Sequence, residues 1–169
     1  MRELWLVRHA ESVGNRDGSG SDSELTPEGR EQALALVPAL IAVRFDRVLC
    51  SPLLRARQTA AIALPDANLE IEPRLRELVV PGERFVDVAG LGPERLRALL
   101  NETSSEPAAE TGKAFMTRVR EWLAELPEQG KVLAFTHFAV IREALRACTP
   151  GPVPQTIAPA SITIVRREP

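Results

Sequence analysis

The sequence predicts an α/β fold, a single domain over residues 1–169 in which a mostly parallel β-sheet is sandwiched between α-helices. Three observations carry this prediction. Short apolar runs alternate with segments of helical periodicity along the chain. The 169 residues suit one hydrophobic core. No repeat, linker or shift of composition divides them.

The first apolar run, Leu4–Trp5–Leu6–Val7, reads as a buried strand. Residues 14–24 (GNRDGSGSDSE) are rich in Gly, Ser and Asp and predict a mobile loop. Thr26–Pro27–Glu28 then opens a helix, with Thr as N-cap, Pro at the first position and an acid in the first turn. Ala33, Leu34, Val37, Leu40 and Ile41 continue it at helical spacing, and Pro38 predicts a kink. Asp46–Cys50 is the second strand, and Pro52 begins a helix to about Leu64. Leu69–Ile71 is a weaker third strand. Residues 73–92 hold two Pro and several Gly and predict a loop region. Helices follow over residues 93–101 and about 107–126; in the second, Phe115, Val119, Trp122 and Leu126 recur at three- and four-residue steps. Lys131–Phe135 is a further apolar strand, Phe138 to about Cys148 a helix, and Ser161–Val165 the last strand.

Composition excludes several classes. Hydrophobic residues make up 44% and charged residues 26%, the balance of a folded globular chain rather than a disordered or fibrous one. A net charge of −2 gives no reason to expect nucleic acid as a partner. No apolar run approaches a membrane span, and Leu4–Val7 is too short for a signal-peptide core. Two cysteines, Cys50 and Cys148, make no disulfide framework, which fits a reducing, cytoplasmic setting. Basic charge resides in 19 arginines against Lys113 and Lys131, and guanidinium is the group best shaped to grip phosphate at two points.

The chain has two histidines, and each directly follows a predicted strand: His9 after LWLV-Arg8, and His137 after VLAF-Thr136. Ligands of open α/β sheets bind at the carboxyl ends of strands. A third strand end, Cys50–Ser51, leads into Arg55 and Arg57. Imidazoles and guanidiniums gathered in this way suit a phosphoryl group. A neutral imidazole attacks phosphorus at neutral pH, and arginines stabilise the charge on the transferring oxygens. The expelled alkoxide then needs a carboxylic acid nearby. Cys50, Cys148, His9 and His137 are nominally a Cys₂His₂ set, but they lack the close pairs of a zinc site, so no metal is expected. The His-Ala-Glu after the first strand is likewise unlike a Gly-rich dinucleotide turn.

Leu6–Val7–Arg8–His9–Ala10–Glu11–Ser12 with Asn15, then Thr26–Pro27–Glu28–Gly29, Ser51–Pro52–Leu53–Leu54–Arg55–Ala56 with Thr59, and Thr136–His137 with Ile141–Arg142, together resemble the histidine phosphatase superfamily. This is the family of phosphoglycerate mutases and their related phosphatases. The motifs occur in the family's order over nearly the whole chain. The resemblance implies a phosphoglycerate mutase-like fold, His9 as the phosphorylated nucleophile, and Arg8, Arg55 and His137 as the rest of the phosphate-binding set. It implies Asn15 as an auxiliary phosphate contact and Glu77 as proton donor and acceptor. The glycine and aromatic pattern that often follows that acid is missing here, so Glu83 and Asp87 stand as alternatives. Ala10 replaces the family's glycine after the nucleophile, and Phe138 the glycine after the second histidine, where it narrows the pocket or adds an apolar wall. Arg57, Arg84, Phe138 and Arg142 are the further candidates for substrate contact.

The implied activity is a metal- and cofactor-independent phosphatase. Its substrate is a phosphorylated small molecule or a protein phosphohistidine. A mutase is the first rival, although the short stretch between Arg55 and Thr136 leaves little room for a mutase's extra substrate-gripping segment. A non-catalytic phosphate-binding or scaffold module is the second. The sequence does not speak to oligomeric state.

Overall fold

Alternation along the strands sorts the core into two layers. In β1 (Arg2–Arg8), Leu4 and Leu6 face one side of the sheet and Trp5 and Val7 the other. In β4 (Gly130–Thr136), Val132 and Ala134 separate from Leu133 and Phe135 in the same way. The computed structural model describes residues 2–18, 22–78, 94 and 110–167. Its sheet has five strands in the order β3-β2-β4-β1-β5, with β2 at Arg47–Cys50, β3 at Leu69–Ile71 and β5 at Ile162–Arg167. All neighbours run parallel except β5, which pairs antiparallel with β1. The α/β prediction is therefore met, with one antiparallel edge.

On one face pack α5 (Gly112–Glu125) and α6 (Phe138–Cys148). Phe115, Val119, Trp122 and Leu126 are all buried there, as their spacing predicts. The other face is covered by α3 (Val37–Ile41) and α4 (Leu54–Ala63), through Leu40 and the small residues Ala56, Ala60 and Ala63. Ahead of α3 lies α2 (Pro27–Ala35), whose cap is as expected: the Thr26 hydroxyl accepts from the Gly29 amide at 2.9 Å.

Several boundaries differ from the sequence reading. Overlapping the start of the predicted loop, Val13–Arg16 forms a single helical turn, α1, because Ser12 and Asn15 close a reciprocal capping box around it. The single kinked helix is instead two, broken at Leu36, and Pro38 lies in the first turn of α3, where its missing N–H costs nothing. Leu34 and Ile41 consequently point to solvent rather than joining Leu40 in the core. The helix after Pro52 begins at Leu54, and α5 begins at Gly112 with Thr111 as its N-cap. Of the predicted helix at 93–101 only Glu94, which is helical, lies within the described residues.

Gly29 has a steric reason for being glycine. A Cβ at this position would sit 2.0 Å from the carbonyl oxygen of Glu11, which itself accepts from the Thr26 amide. The first turn of α2 thus packs directly on the backbone two residues beyond His9. Gly29→Ala is expected to destabilise the fold by about 1–3 kcal/mol through overpacking, read as a fall of several degrees in thermal midpoint. An unchanged midpoint would show that this close approach is dispensable.

Candidate active site

Adjacent parallel strands β1 and β4 bring their carboxyl ends together, the place where open α/β sheets form a ligand crevice. The backbone continues the sheet just past those ends. The His9 amide donates to the Thr136 carbonyl at 2.9 Å, and the Ser51 amide to the Phe135 carbonyl at 2.9 Å. His9, His137 and Ser51 are thereby fixed side by side.

The His9 imidazole is 2% exposed. Its Nδ1 lies 2.7 Å from the Ala10 carbonyl, an acceptor, so Nδ1 carries the proton and Nε2 keeps its lone pair. Arg55 Nε donates to that Nε2 at 3.2 Å. Burial, then the positive charges of Arg55 and Arg8, hold the imidazole well below its ordinary pKa. At neutral pH it is neutral. Ala10 is buried, and its backbone avoids the left-handed region, which among described non-glycine residues only Ala160 occupies, so the turn does not demand glycine.

His137 is fully buried, with its ring centroid 5.1 Å from that of His9. Desolvation, then the charge of Arg55, keeps it neutral as well. Its Nε2 lies 2.7 Å from the Ser51 hydroxyl. Arg8 NH1 donates to the Ile157 carbonyl, and the Arg8 guanidinium lies over Phe138, 5.6 Å from the ring centre.

Glu77 is presented by the turn after the 3-10 segment Pro73–Leu75. Oε1 accepts from the Leu78 amide at 2.9 Å, and the carboxylate faces the Ala139 amide in the first turn of α6 at 3.3 and 3.4 Å. Burial pushes its pKa up; those two amides together with Arg55 and Arg8 pull against the rise. A carboxyl that leans toward its protonated form and feels both arginines can give a proton at this crevice. Its turn is clamped from two sides. Thr136 Oγ1 donates to the Leu75 carbonyl at 2.8 Å, and Arg118 donates to the carbonyls of Arg74 and Arg76. Arg118 is itself held by a bidentate pair with Glu110, at 2.7 Å on each side.

The structure thus brings together His9, Arg55, His137, Arg8 and Glu77. It treats the outer candidates differently. Asn15 Oδ1 accepts from the Ser12 amide and hydroxyl, so it holds the turn after His9. Arg57 is exposed and lies two residues from Arg55 along α4, about 200° around the helix, away from the crevice. Phe138 is buried in the core, and the guanidinium of Arg142 also lies against its ring, at 5.5 Å. Arg84, Glu83 and Asp87 lie outside the described residues.

Four contributions escaped the sequence reading. Ser51 engages His137, and the Arg118–Glu110 pair holds the Glu77 turn. Thr59 Oγ1 accepts from the Ala10 amide at 3.0 Å and donates to the Arg55 carbonyl at 2.7 Å, tying the turn after His9 to α4. Asp22 Oδ1 accepts from the Leu54 amide at 2.8 Å and lies 3.4 Å from Arg55 NH1. Ser51 and Thr59 stood in the motif around Arg55 without a role of their own; an aspartate in a Ser/Gly-rich loop carries no signal at all.

No group of three or more His, Cys, Asp or Glu side chains is arranged for a metal ion among the described residues. Cys50 is buried, with its thiol pushed up to about 12, the opposite of what a metal-binding thiolate needs. Nor is any described helix long and apolar enough to cross a membrane.

A family model described as "Histidine phosphatase superfamily (branch 1)" matches residues 4–169. Over 151 residues the chain is 35% identical to the adenosylcobalamin/alpha-ribazole phosphatase of Escherichia coli strain K12, covering 82% of this chain and 74% of that protein. It is 33% identical to a probable phosphoglycerate mutase, GpmB, of Serratia proteamaculans, covering 81% of this chain and 70% of the relative. Among solved structures, a phosphoglycerate mutase from Thermus thermophilus superposes with a TM-score of 0.74 at 34% identity, covering 96% of this chain and 92% of the other.

Proposed function

The chain belongs to the histidine phosphatase superfamily, and from that premise we propose that it is a metal-independent phosphatase that hydrolyses the phosphomonoester of a small metabolite through a phosphohistidine on His9. The observation that carries this reading is the His9 imidazole itself. It is neutral and protonated on Nδ1, and its Nε2 is aimed at Arg55. A phosphoryl group entering between Nε2 and the guanidiniums of Arg55 and Arg8 meets the nucleophile and its charge stabilisation together.

The chemistry runs in two steps. His9 Nε2 forms a bond to phosphorus as the ester P–O bond breaks, and the Glu77 carboxylic acid protonates the departing alcohol oxygen. Water then attacks the phosphohistidine as Glu77, now a carboxylate, takes its proton. The P–N bond breaks, phosphate leaves, and both groups return to their starting states. His137 donates to a phosphoryl oxygen throughout.

Similarity to a phosphatase named for α-ribazole and adenosylcobalamin supports a small-molecule substrate. Similarity to relatives named as phosphoglycerate mutases supports a second reading, in which the phosphohistidine returns its phosphoryl group to substrate instead of water. The test is phosphate release from a panel of metabolite phosphomonoesters and a phosphohistidine peptide, with excess chelator present. Release from metabolites at an undiminished rate in chelator is expected. Preference for the peptide would move the substrate to protein phosphohistidine, isomerisation without phosphate release would favour the mutase, and chelator sensitivity would overturn metal independence. In the same assay Arg55→Ala is expected to lower kcat/KM by about 10²–10³-fold, the loss of a preorganised anion donor. Wild-type turnover in that variant would remove Arg55 from the site.

A further inference from the structure

We propose that Ser51 is a positioning residue that fixes His137 in the tautomer protonated on Nδ1, so that Nδ1–H is the donor His137 offers to the phosphoryl group. This inference rests on the function proposed above for the role of the donor, but not for the tautomer itself.

In this closed space one matching of protons and lone pairs gives the Ser51 hydroxyl proton an acceptor among the described residues. Ser51 and His137 are each fully buried, so neither exchanges its partner for bulk water. The Ser51 hydroxyl is approached from two sides. The Leu53 amide, which can only donate, lies 3.3 Å from Oγ and takes up one acceptor lone pair. His137 Nε2 lies 2.7 Å away and is the remaining partner for the single hydroxyl proton. With that proton donated, Nε2 is the acceptor of the pair. A neutral imidazole has one proton, which must then reside on Nδ1.

Neutrality follows first from burial of the ring and then from the groups around it. Arg55, Arg8 and Arg118 all act on it as positive charges, and His9 as its imidazole neighbour. Nδ1 is buried and has no hydrogen-bond partner among the described residues. A buried N–H left without a partner is costly unless a ligand satisfies it, and this one belongs to a ring 5.1 Å from the His9 imidazole. Reversing the tautomer would set a bare lone pair toward phosphoryl oxygens, turning an attraction into a repulsion. A hydroxyl that takes no part in bond making therefore decides whether the second histidine helps or hinders. Its backbone is set by the same sheet, through the Ser51 amide on the Phe135 carbonyl, one residue before Thr136 and two before His137.

Nitrogen NMR tests this directly, because the chain has only two histidines. Comparison of wild type with His9→Gln assigns both rings. In wild type at neutral pH, His137 is expected to show a pyrrole-like Nδ1 and a pyridine-like Nε2. Ser51→Ala, which removes one oxygen and little volume, is expected to shift these signals toward a mixture of tautomers. It should lower kcat by about tenfold, the scale of one lost hydrogen bond, with KM changed less and the wild-type fold kept. Ser51→Cys, retaining a weak donor, is expected to fall between. A wild-type His137 protonated on Nε2 would overturn the proposal, as would Ser51→Ala with an unaltered tautomer or with wild-type kcat. If the wild-type protein releases no phosphate from any ester, the hydrolytic reading fails while the tautomer result still stands or falls on its own spectrum.

Discussion

His9→Ala is expected to release no phosphate measurably above background and to take up no radiolabel from a phosphorylated substrate, while keeping the wild-type fold. Removing Nε2 leaves nothing to form the covalent intermediate, and deleting a nucleophile that works as one member of a set costs about 10⁴–10⁶-fold. The fold should survive because His9 contributes no net charge to the core. Its buried ring is a liability instead. The unfolded chain protonates this imidazole near pH 6.5, whereas the folded protein, in which burial and Arg55 depress the pKa, does not. Below pH 6.5 the unfolded state therefore binds the extra proton, and wild-type stability falls as pH drops toward the depressed value. His9→Ala should lose less stability over that acid range than wild type does. Thermal melts at a series of pH values check this, beside acid-stable and acid-labile counts of bound phosphate. Labelling that survives in His9→Ala would move the nucleophile to another residue and remove His9 from the mechanism.

The elements that place His9 were legible because their signals are local. Leu4–Val7 and Val132–Phe135 are uninterrupted apolar runs, as strands buried on both faces must be, and a histidine after each lies at a strand end wherever the strand falls in the sheet. The pairing of β1 with β4 then brings the two rings together. Arg55 and Glu77 were singled out by the family resemblance, through the motif around Arg55 and the segment Arg74–Leu78. What stayed hidden depends on the third dimension. Ser51 meets a histidine 86 residues away, Thr136 meets Leu75 across 61, and Asp22 reaches Arg55 across 33. No periodicity marks such pairs. Arg57 shows how little a separation of two residues says about direction: a helix turns it to the side opposite Arg55. The short helix α1 was missed because its stability comes from one capping box and not from its composition.

The organisation of charge around the crevice explains why its parts are buried so deeply. Arg8 and Arg55 are among the least exposed of the described arginines, and both act on His9, His137 and Glu77. In water such charges would be screened; held away from solvent they bias every protonation state nearby. The imidazoles are kept free of the protons that would quench them, and an anion is the ligand whose charge complements the guanidiniums.

Glu77→Gln is expected to separate the two chemical steps and, at the same time, to stabilise the protein. For alkyl phosphates, whose leaving oxygen needs a proton, phosphorylation of His9 should slow by about 10²–10⁴-fold, the usual share of general acid catalysis. For p-nitrophenyl phosphate the first step should be nearly unaffected, giving a burst of nitrophenol followed by a slow steady state, because the second step still lacks its base. Equal losses in the first turnover of both substrates would show that Glu77 is not the acid. The stability change has a definite sign. The folded-state pKa of Glu77 is raised by burial, so above pH 4.5 the unfolded chain ionises this carboxyl more readily than the folded protein does. The resulting penalty grows as pH rises from 4.5 to the raised value and is then constant. Glutamine removes it and can still accept from the amides of Leu78 and Ala139. The variant should therefore melt above wild type at neutral pH and converge with it below pH 4.5. Substrate sharpens the same balance. A phosphoryl dianion cancels the charges of Arg55 and Arg8, which hold the Glu77 pKa down, so binding leaves burial less opposed and drives the carboxyl toward its protonated form. On the proposed mechanism the acid is loaded by the substrate it serves, and proton uptake on binding of vanadate, present in wild type and absent in Glu77→Gln, is the corresponding measurement.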